Sequence, residues 1–148
     1  MANAAFHVLI ADDDIDDHTL YRYAMKEVVP EGLLEIVADG TQLMRKLMDA
    51  TIPPPDIILL DLNMPLMNGL ECLIQIRKTA SLKHLPVIIF STSDHENDIA
   101  ATFEQGANLY VKKPGNFSGL TDIFANLFHR SSTELRSRPA RDRYLFSI

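Results

Sequence analysis

The sequence has almost no cysteine and no long apolar run, and both absences narrow what the protein can be. Cys72 is the only cysteine, which excludes a framework of internal disulfides and predicts a reducing compartment, the cytoplasm. No apolar stretch approaches the roughly 20 residues that cross a bilayer, so no membrane association is expected. The first residues, MANAAFHVLIADDD, lack the positive charge of a signal peptide.

Basic charge is also scarce, except at one end. The net charge is −6, with 18 acids and 9 bases in residues 1–129 but two acids and five arginines in residues 130–148. An acidic body argues against nucleic acid as a partner. The basic tail is either a separate contact surface or a solvated end.

Several catalytic motifs are missing as well. No GxxxxGK[ST] phosphate-binding loop occurs, which argues against a nucleotide-hydrolysing P-loop enzyme. The five histidines lack metal-binding spacing and are interpreted as surface or packing residues: His7, His18, His84, His95 and His129. Cys72 lies in an apolar helical pattern, where packing is the expected role.

What the sequence does contain is a regular alternation of strand and helix patterns. Strands are predicted at 6–11, 33–39, 56–61, 86–93 and 107–114, and helices at 15–28, 41–50, 68–80, 94–105 and 116–130. Asp14, Thr41 and Asn68 are the expected N-caps. The third and fourth strands are continuous apolar runs, as in parallel strands covered on both faces. We therefore expect an α/β fold with a doubly wound parallel sheet in one domain, residues 1–130, followed by a tail, 131–148.

Polar residues stand where four of these strands end. Because ligands of open α/β sheets bind beyond the carboxyl ends of the strands, these residues should lie together. They are Asp12 and Asp13, Asp61, Ser91 and Thr92, and Lys112, Lys113 and Pro114.

This residue set points to one kind of chemistry. Three neighbouring carboxylates repel each other unless a cation lies between them, and an all-oxygen site favours Mg²⁺, with Mn²⁺ also possible. Asp61 is then the natural nucleophile for a phosphoryl group. Some assignments stay open at this stage: Asp14 competes with Asp12 and Asp13, Thr92 with Ser91, and Lys112 with Lys113.

The motifs together resemble the receiver domain of bacterial two-component response regulators. They are DD after the first strand, LLDLNMPLMNG around Asp61, a hydroxyl residue after the fourth strand and KP after the fifth, and the resemblance covers residues 6 to about 129. It implies a five-stranded flavodoxin-like sheet in the order 2-1-3-4-5. It also implies that Asp61 is the phosphoacceptor of a signalling switch that shows only self-phosphorylation and slow autodephosphorylation.

The resemblance also implies roles for individual residues. Asp13 and the backbone carbonyl of Asn63 would bind Mg²⁺ directly, and Asp12 would assist, with Asp61 completing the metal site. Ser91 would be the switch hydroxyl, Tyr110 the rotating aromatic, and Lys113 the lysine before a cis Lys113–Pro114 bond. Asn63 and Thr92 would flank the path of the hydrolytic water. The implied partner is a sensor histidine kinase or a histidine phosphotransfer protein.

Two other functions compete with this switch. A metal-dependent phosphatase with an aspartyl nucleophile typically carries a second acid two residues later, but Asn63 stands there and has no proton to give. A phosphate-independent binding module usually lacks one of the acids or the lysine, and none is missing here.

The tail leaves the mode of output open. No helix-turn-helix pattern or second catalytic module follows, so the chain resembles stand-alone receivers, including those paired with bacterial phytochromes, which signal by contact or relay phosphate. Four large apolar residues near the end would be a liability if exposed: Tyr144, Leu145, Phe146 and Ile148. They could dock on their own domain, form a homodimer or remain disordered.

Overall fold

A computed structural model describes residues 5–146 of the chain. The strands are β1 (His7–Ala11), β2 (Leu33–Val37), β3 (Ile57–Leu60), β4 (Val87–Ser91), β5 (Leu109–Lys112) and β6 (Leu145–Phe146). The helices are α1 (Ile15–Val28), α2 (Gly40–Met48), α3 (Gly69–Lys78), α4 (Glu96–Glu104), α5 (Phe117–Phe128), α6 (Ser132–Arg136) and α7 (Arg141–Tyr144).

The strands form one parallel sheet in the order β2-β1-β3-β4-β5-β6. The predicted α/β class and the order of the first five strands are therefore confirmed. The expectation of five strands is corrected to six, because the tail adds β6 beside β5. Leu145 lies opposite Tyr110 and Phe146 opposite Val111 in that pairing.

Both faces of the sheet carry a hydrophobic core, which explains the unbroken apolar runs of β3 and β4. Ile58 and Leu60 belong to the cluster on one face, and Ile57 and Leu59 to the cluster on the other. Cys72 is fully buried in the first cluster, and burial raises the pKa of its thiol to about 11, which fits the predicted packing role. Among residues 5–146, no helix is both long and apolar enough to cross a bilayer.

Two of the three predicted helix caps are confirmed. The Asp14 carboxylate accepts hydrogen bonds from the backbone N–H groups of Asp16 and Asp17, and Asn68 forms a capping box with Glu71. The prediction for Thr41 is wrong, because Asp39 caps α2. The Asp39 carboxylate accepts the backbone N–H of Gln42 and also the Thr41 hydroxyl, so the helix begins one residue earlier than expected.

The later elements are shorter than predicted. After β4 ends at Ser91, the backbone turns and the Ser93 N–H donates to the Ser91 Oγ, so Thr92 and Ser93 lie outside the strand. The helix predicted from residue 94 begins at Glu96. Residue Asn108, inside the predicted fifth strand, instead precedes β5 and uses its side-chain oxygen to accept the backbone N–H of Val87.

The tail docks on its own domain. Tyr144 is fully buried, its hydroxyl donates to the Thr102 Oγ1 at 2.7 Å, and its ring packs edge-on against Phe103 and Tyr110. The Asn108 amide donates to the backbone carbonyls of Arg136 and Ser137. Self-docking is thus the alternative that the structure shows for Tyr144, Leu145 and Phe146, whereas Ile148 lies outside the described residues.

Candidate functional site

Three carboxylates meet at the carboxyl edge of the sheet. Asp12 follows β1 directly and is fully buried, and Asp61 follows β3 and is 7% exposed. Asp13 is exposed beside them, and one oxygen of each carboxylate lies within 4.8 Å of the others. The adjacent central strands bring together residues that are about fifty positions apart in the chain. The cluster suits a divalent cation that prefers oxygen ligands.

Lys113 extends into this acidic cluster from the end of β5. Its Nζ lies 2.6 Å from the Asp12 Oδ2, 3.2 Å from the Asp17 Oδ2 and 3.4 Å from the Asp61 Oδ2. Lys112 instead points away and pairs with the exposed Asp94 at 3.0 Å. The structure therefore brings Lys113, and not Lys112, to the site.

The surroundings of Asp61 disfavour the charged form of its carboxylate. Burial, the largest cause, and the charge of Asp12 together raise the pKa of Asp61 to about 6, although Lys113 and the Asn63 backbone N–H oppose part of this rise. Burial alone would lower the pKa of Lys113, but the hydrogen bond to Asp12 and the charge of Asp61 raise it overall. Lys113 therefore stays positively charged, next to the Asp61 carboxylate, whose charged form is only partly stabilised.

Helix α1 supplies three contacts to the site that the sequence analysis missed. The Asp17 carboxylate contacts the Lys113 ammonium. The Tyr21 hydroxyl donates to the Asp12 Oδ2 at 2.5 Å. The His18 Nε2 lies 2.5 Å from the Asp12 carbonyl oxygen. The sequence predicts His18 only as a surface or packing residue, whereas the structure buries it against the backbone of Asp12. The signal that could have found both residues is their spacing of three, which places them on one helix face directly after the acidic pair.

The hydroxyl residues at the end of β4 differ in burial. Ser91 is fully buried and Thr92 is exposed. Tyr110 is also fully buried, and its hydroxyl donates to the Ser93 carbonyl oxygen at 2.7 Å. Ser91, Ser93 and Tyr110 therefore link the edge of the site to the interior beneath the tail.

The loop after β3 holds Asp61 from its other side. The Asn63 backbone N–H donates to the Asp61 Oδ1 at 3.3 Å. The Gly69 N–H donates to the Leu62 carbonyl, and a Cβ at Gly69 would lie only 2.2 Å from the Asp61 carbonyl oxygen. Glycine at this position thus allows α3 to start directly against the backbone of Asp61.

The expected cis Lys113–Pro114 bond is not found. The structure has no cis peptide bond among residues 5–146, so this bond is trans. The trans form of a bond before proline is ordinarily favoured by about 0.5–1 kcal/mol. With this trans bond, the Lys113 backbone N–H donates to the Ser91 carbonyl, and its Nζ contacts the carboxylates of Asp12, Asp17 and Asp61.

Comparison with known families decides the assignment. The model of the response regulator receiver domain matches residues 8–125, which is most of the chain. The chain belongs to the response regulator receiver family. Acceptance of a phosphoryl group on an aspartate is general in this family, so the receiver is a signalling switch of two-component systems and not a conventional enzyme.

Relatives of this receiver include stand-alone regulators. Response regulator Rcp1 of Synechocystis is 34% identical over 121 residues, covering 79% of this chain and 80% of Rcp1. The nitrate/nitrite regulator NarL of Escherichia coli is 35% identical over 100 residues, but the match spans only 45% of NarL. The likeness to NarL therefore concerns less than half of that protein.

Solved structures agree with this fold. The phosphorylated cyanobacterial phytochrome response regulator RcpA has a TM-score of 0.77 at 32% identity, covering 83% of this chain and 91% of RcpA. The Mn²⁺-bound form of Rcp1 has a TM-score of 0.76 at 29% identity, covering 90% of this chain and 99% of Rcp1.

Proposed function

We propose that this receiver accepts a phosphoryl group on Asp61 from a sensor histidine kinase or a histidine phosphotransfer protein, in a Mg²⁺-dependent reaction. The observation that carries the proposal is the placement of the buried Asp61 carboxylate within 3.4 Å of the Lys113 ammonium and beside Asp12 and Asp13. Asp61 is the nucleophile in this proposal because, among residues 5–146, Cys72 is buried in the core and no serine hydroxyl is hydrogen-bonded to a histidine ring.

The donor set of the site fits a hard divalent cation. Asp12, Asp13 and Asp61 offer only carboxylate oxygens, and the exposure of Asp13 leaves space for water and phosphoryl oxygens. We propose that these three residues, with the Asn63 carbonyl, hold Mg²⁺, with Mn²⁺ as the substitute that the Rcp1 relative contains. When bound, the cation would neutralise charge on the phosphoryl oxygens.

The chain's own residues account for the transfer step. An Asp61 carboxylate oxygen attacks the phosphorus of the donor phosphohistidine. The new O–P bond forms as the N–P bond breaks, and the electron pair of that bond stays on the imidazole nitrogen. Lys113 balances the charge that Asp61 and the phosphoryl oxygens share, and the buried position of Asp61 strengthens this interaction.

Phosphorylation would then change the region between Ser91 and Tyr110. We propose that the Ser91 hydroxyl turns to donate to a phosphoryl oxygen, and that Tyr110 shifts in the space beneath it. Such a change is a population shift, which needs the phosphoryl group to favour one packing by a few kcal/mol. Asn63 and Thr92, both exposed at the edge of the site, would influence how long the phosphoryl group persists.

The direct test is phosphorylation by acetyl phosphate with Mg²⁺, followed by intact mass. We expect one acid-stable, base-labile phosphoryl group per chain. Asp61→Asn, or the omission of Mg²⁺, should abolish the gain. A phosphoryl group that survives in Asp61→Asn would exclude Asp61 as the acceptor. An unmodified wild-type protein that also fails to bind beryllofluoride would favour a phosphate-independent module.

A further inference from the structure

Asp12 is the most deeply buried member of the acidic cluster, and helix α1 holds it at two points. The carboxylate is fully buried, and its Oδ1 accepts the Asp14 backbone N–H at 2.9 Å. Its Oδ2 accepts the Tyr21 hydroxyl at 2.5 Å, and its carbonyl oxygen lies 2.5 Å from the His18 Nε2. Two side chains of one helix face thus contact both the side chain and the backbone of this residue.

The surroundings of Tyr21 hold its hydroxyl in one place. The Tyr21 ring is 2% exposed and packs against Phe90 of β4 and Phe124 of α5, with centroid distances of 5.9 Å and 6.1 Å. Phe90 directly precedes the switch candidate Ser91. This packing keeps the Tyr21 hydroxyl at 2.5 Å from the Asp12 Oδ2, to which it donates.

The same Asp12 oxygen has a second donor, Lys113. The Lys113 Nζ lies 2.6 Å from the Asp12 Oδ2 but 3.4 Å from the Asp61 Oδ2. A buried carboxylate oxygen that is left without a donor costs free energy even when the other oxygen of the group is bonded. Because Tyr21 also donates to the Asp12 Oδ2, this oxygen keeps a donor when the Lys113 ammonium moves towards Asp61 and its phosphoryl group.

We infer that Tyr21 and His18 are positioning residues: they fix the orientation of Asp12 for metal binding and leave Lys113 available to Asp61. The consequence for phosphoryl transfer rests on the proposed function, whereas the consequence for metal binding does not. Neither residue touches the phosphoryl group itself in this inference.

The test replaces only the hydroxyl of Tyr21. Tyr21→Phe keeps the packing of the ring and removes the hydrogen bond to Asp12. Tyr23→Phe is the matched control, because Tyr23 lies on the same helix and is 60% exposed. Among the described residues, the Tyr23 hydroxyl makes no hydrogen bond. Mn²⁺ binding is followed by electron paramagnetic resonance and Mg²⁺ binding by calorimetry. Partners that orient metal ligands typically contribute 10- to 100-fold to affinity. We expect about tenfold weaker binding in Tyr21→Phe and unchanged binding in Tyr23→Phe.

A second pair of variants tests His18. Glutamine can place an amide nitrogen near the position of the His18 Nε2, whereas leucine cannot donate. We therefore expect His18→Gln to bind Mn²⁺ more tightly than His18→Leu.

Tyr21→Phe should also be phosphorylated more slowly by acetyl phosphate at saturating Mg²⁺, because Lys113 becomes the only side-chain donor to Asp12.

The outcomes separate this inference from the proposed function. Unchanged metal affinity in Tyr21→Phe, with only a lower melting temperature, would show a merely structural role and overturn the inference. Equal weakening in Tyr23→Phe would also overturn it. If the wild-type protein takes up no phosphoryl group, the proposed function fails, while the comparison of metal affinities still decides the role of Tyr21.

Discussion

Asp61, the proposed phosphoacceptor, carries a buried charge that costs stability. Its carboxylate is almost fully buried, and Lys113, its nearest cation, lies closer to Asp12 than to Asp61. The folded protein therefore holds Asp61 with a pKa of about 6, above the ordinary value of 3.8. Between these two values the folded state binds more protons than the unfolded state, so this group lowers stability as pH rises from about 4 to 6.

Removing this charge should stabilise the protein when no metal is present. At pH 7.5 in EDTA, we expect Asp61→Asn to increase the free energy of unfolding by about 1–2 kcal/mol, with no difference at pH 4. Urea unfolding across this pH range measures the effect. The exposed Asp122→Asn serves as the control. Parallel pH profiles for wild-type and Asp61→Asn proteins would contradict the unfavourable burial of Asp61.

At the scale of the element, helix α3 is joined to the site by its first turn. Asn68 and Glu71 form its capping box, and Gly69 lies against the Asp61 backbone. The start of α3 therefore determines where the β3 end presents its carboxylate. The close approach is possible because Gly69 has no Cβ.

Adding one methyl group here should disturb both stability and chemistry. We expect Gly69→Ala to lower the free energy of unfolding by about 1–3 kcal/mol, because its Cβ would lie 2.2 Å from the Asp61 carbonyl oxygen. It should also slow phosphorylation by acetyl phosphate. Gly115→Ala is the matched control, because a Cβ there meets nothing within 4 Å. Normal phosphorylation of a folded Gly69→Ala protein would show that the contact does not position Asp61.

On the scale of the whole molecule, the tail adds a short last strand to the sheet, next to β5. Pairing of β6 with β5 covers backbone groups that an edge strand would otherwise expose to other chains. Arg138 stacks on Phe103, and Arg141 pairs with Glu96, so the basic tail contacts α4. Arg138 and Arg141 therefore hold the tail on the domain.

Tyr144 should hold this arrangement in place. We expect Tyr144→Ala to destabilise the protein by about 3 kcal/mol, because a fully buried ring and its hydrogen bond to Thr102 are lost. Hydrogen exchange should then speed up in β5 and β6. Leu145→Ala, at a side chain 43% exposed, should have a much smaller effect. Equal exchange in both variants would mean that β6 does not depend on Tyr144.

A homodimer through the tail stays a prediction. Light scattering on the full chain and on Tyr144→Ala measures it directly. If the tail makes the homodimer, loss of the Tyr144 anchor should lower the mass of the assembly, because the tail would no longer be held in a fixed position. A monomeric mass for both proteins at high concentration would contradict a role of the tail in assembly.

Much of the fold and of the site follows from local features of the chain. Unbroken apolar runs predicted β3 and β4, and the acids and hydroxyls at the strand ends predicted which residues would meet. These predictions succeed because parallel strands share one direction, so their carboxyl ends must lie at one edge. Asp14 and Asn68 were recognisable as caps because a cap bonds backbone groups only two or three residues away.

Other features depend on contacts between distant parts of the chain. The contacts of Tyr21 and His18 with Asp12 require the rotation of α1 against the sheet, and those of Lys113 require β5 to lie two strands from β3. The sixth strand forms only because the tail returns to an open sheet edge, which no local pattern encodes. Residue types and their periodicity thus predicted the α/β class and the carboxylates at the strand ends, whereas packing in three dimensions decided the partners of these carboxylates, their charge balance and the covered edge of β5.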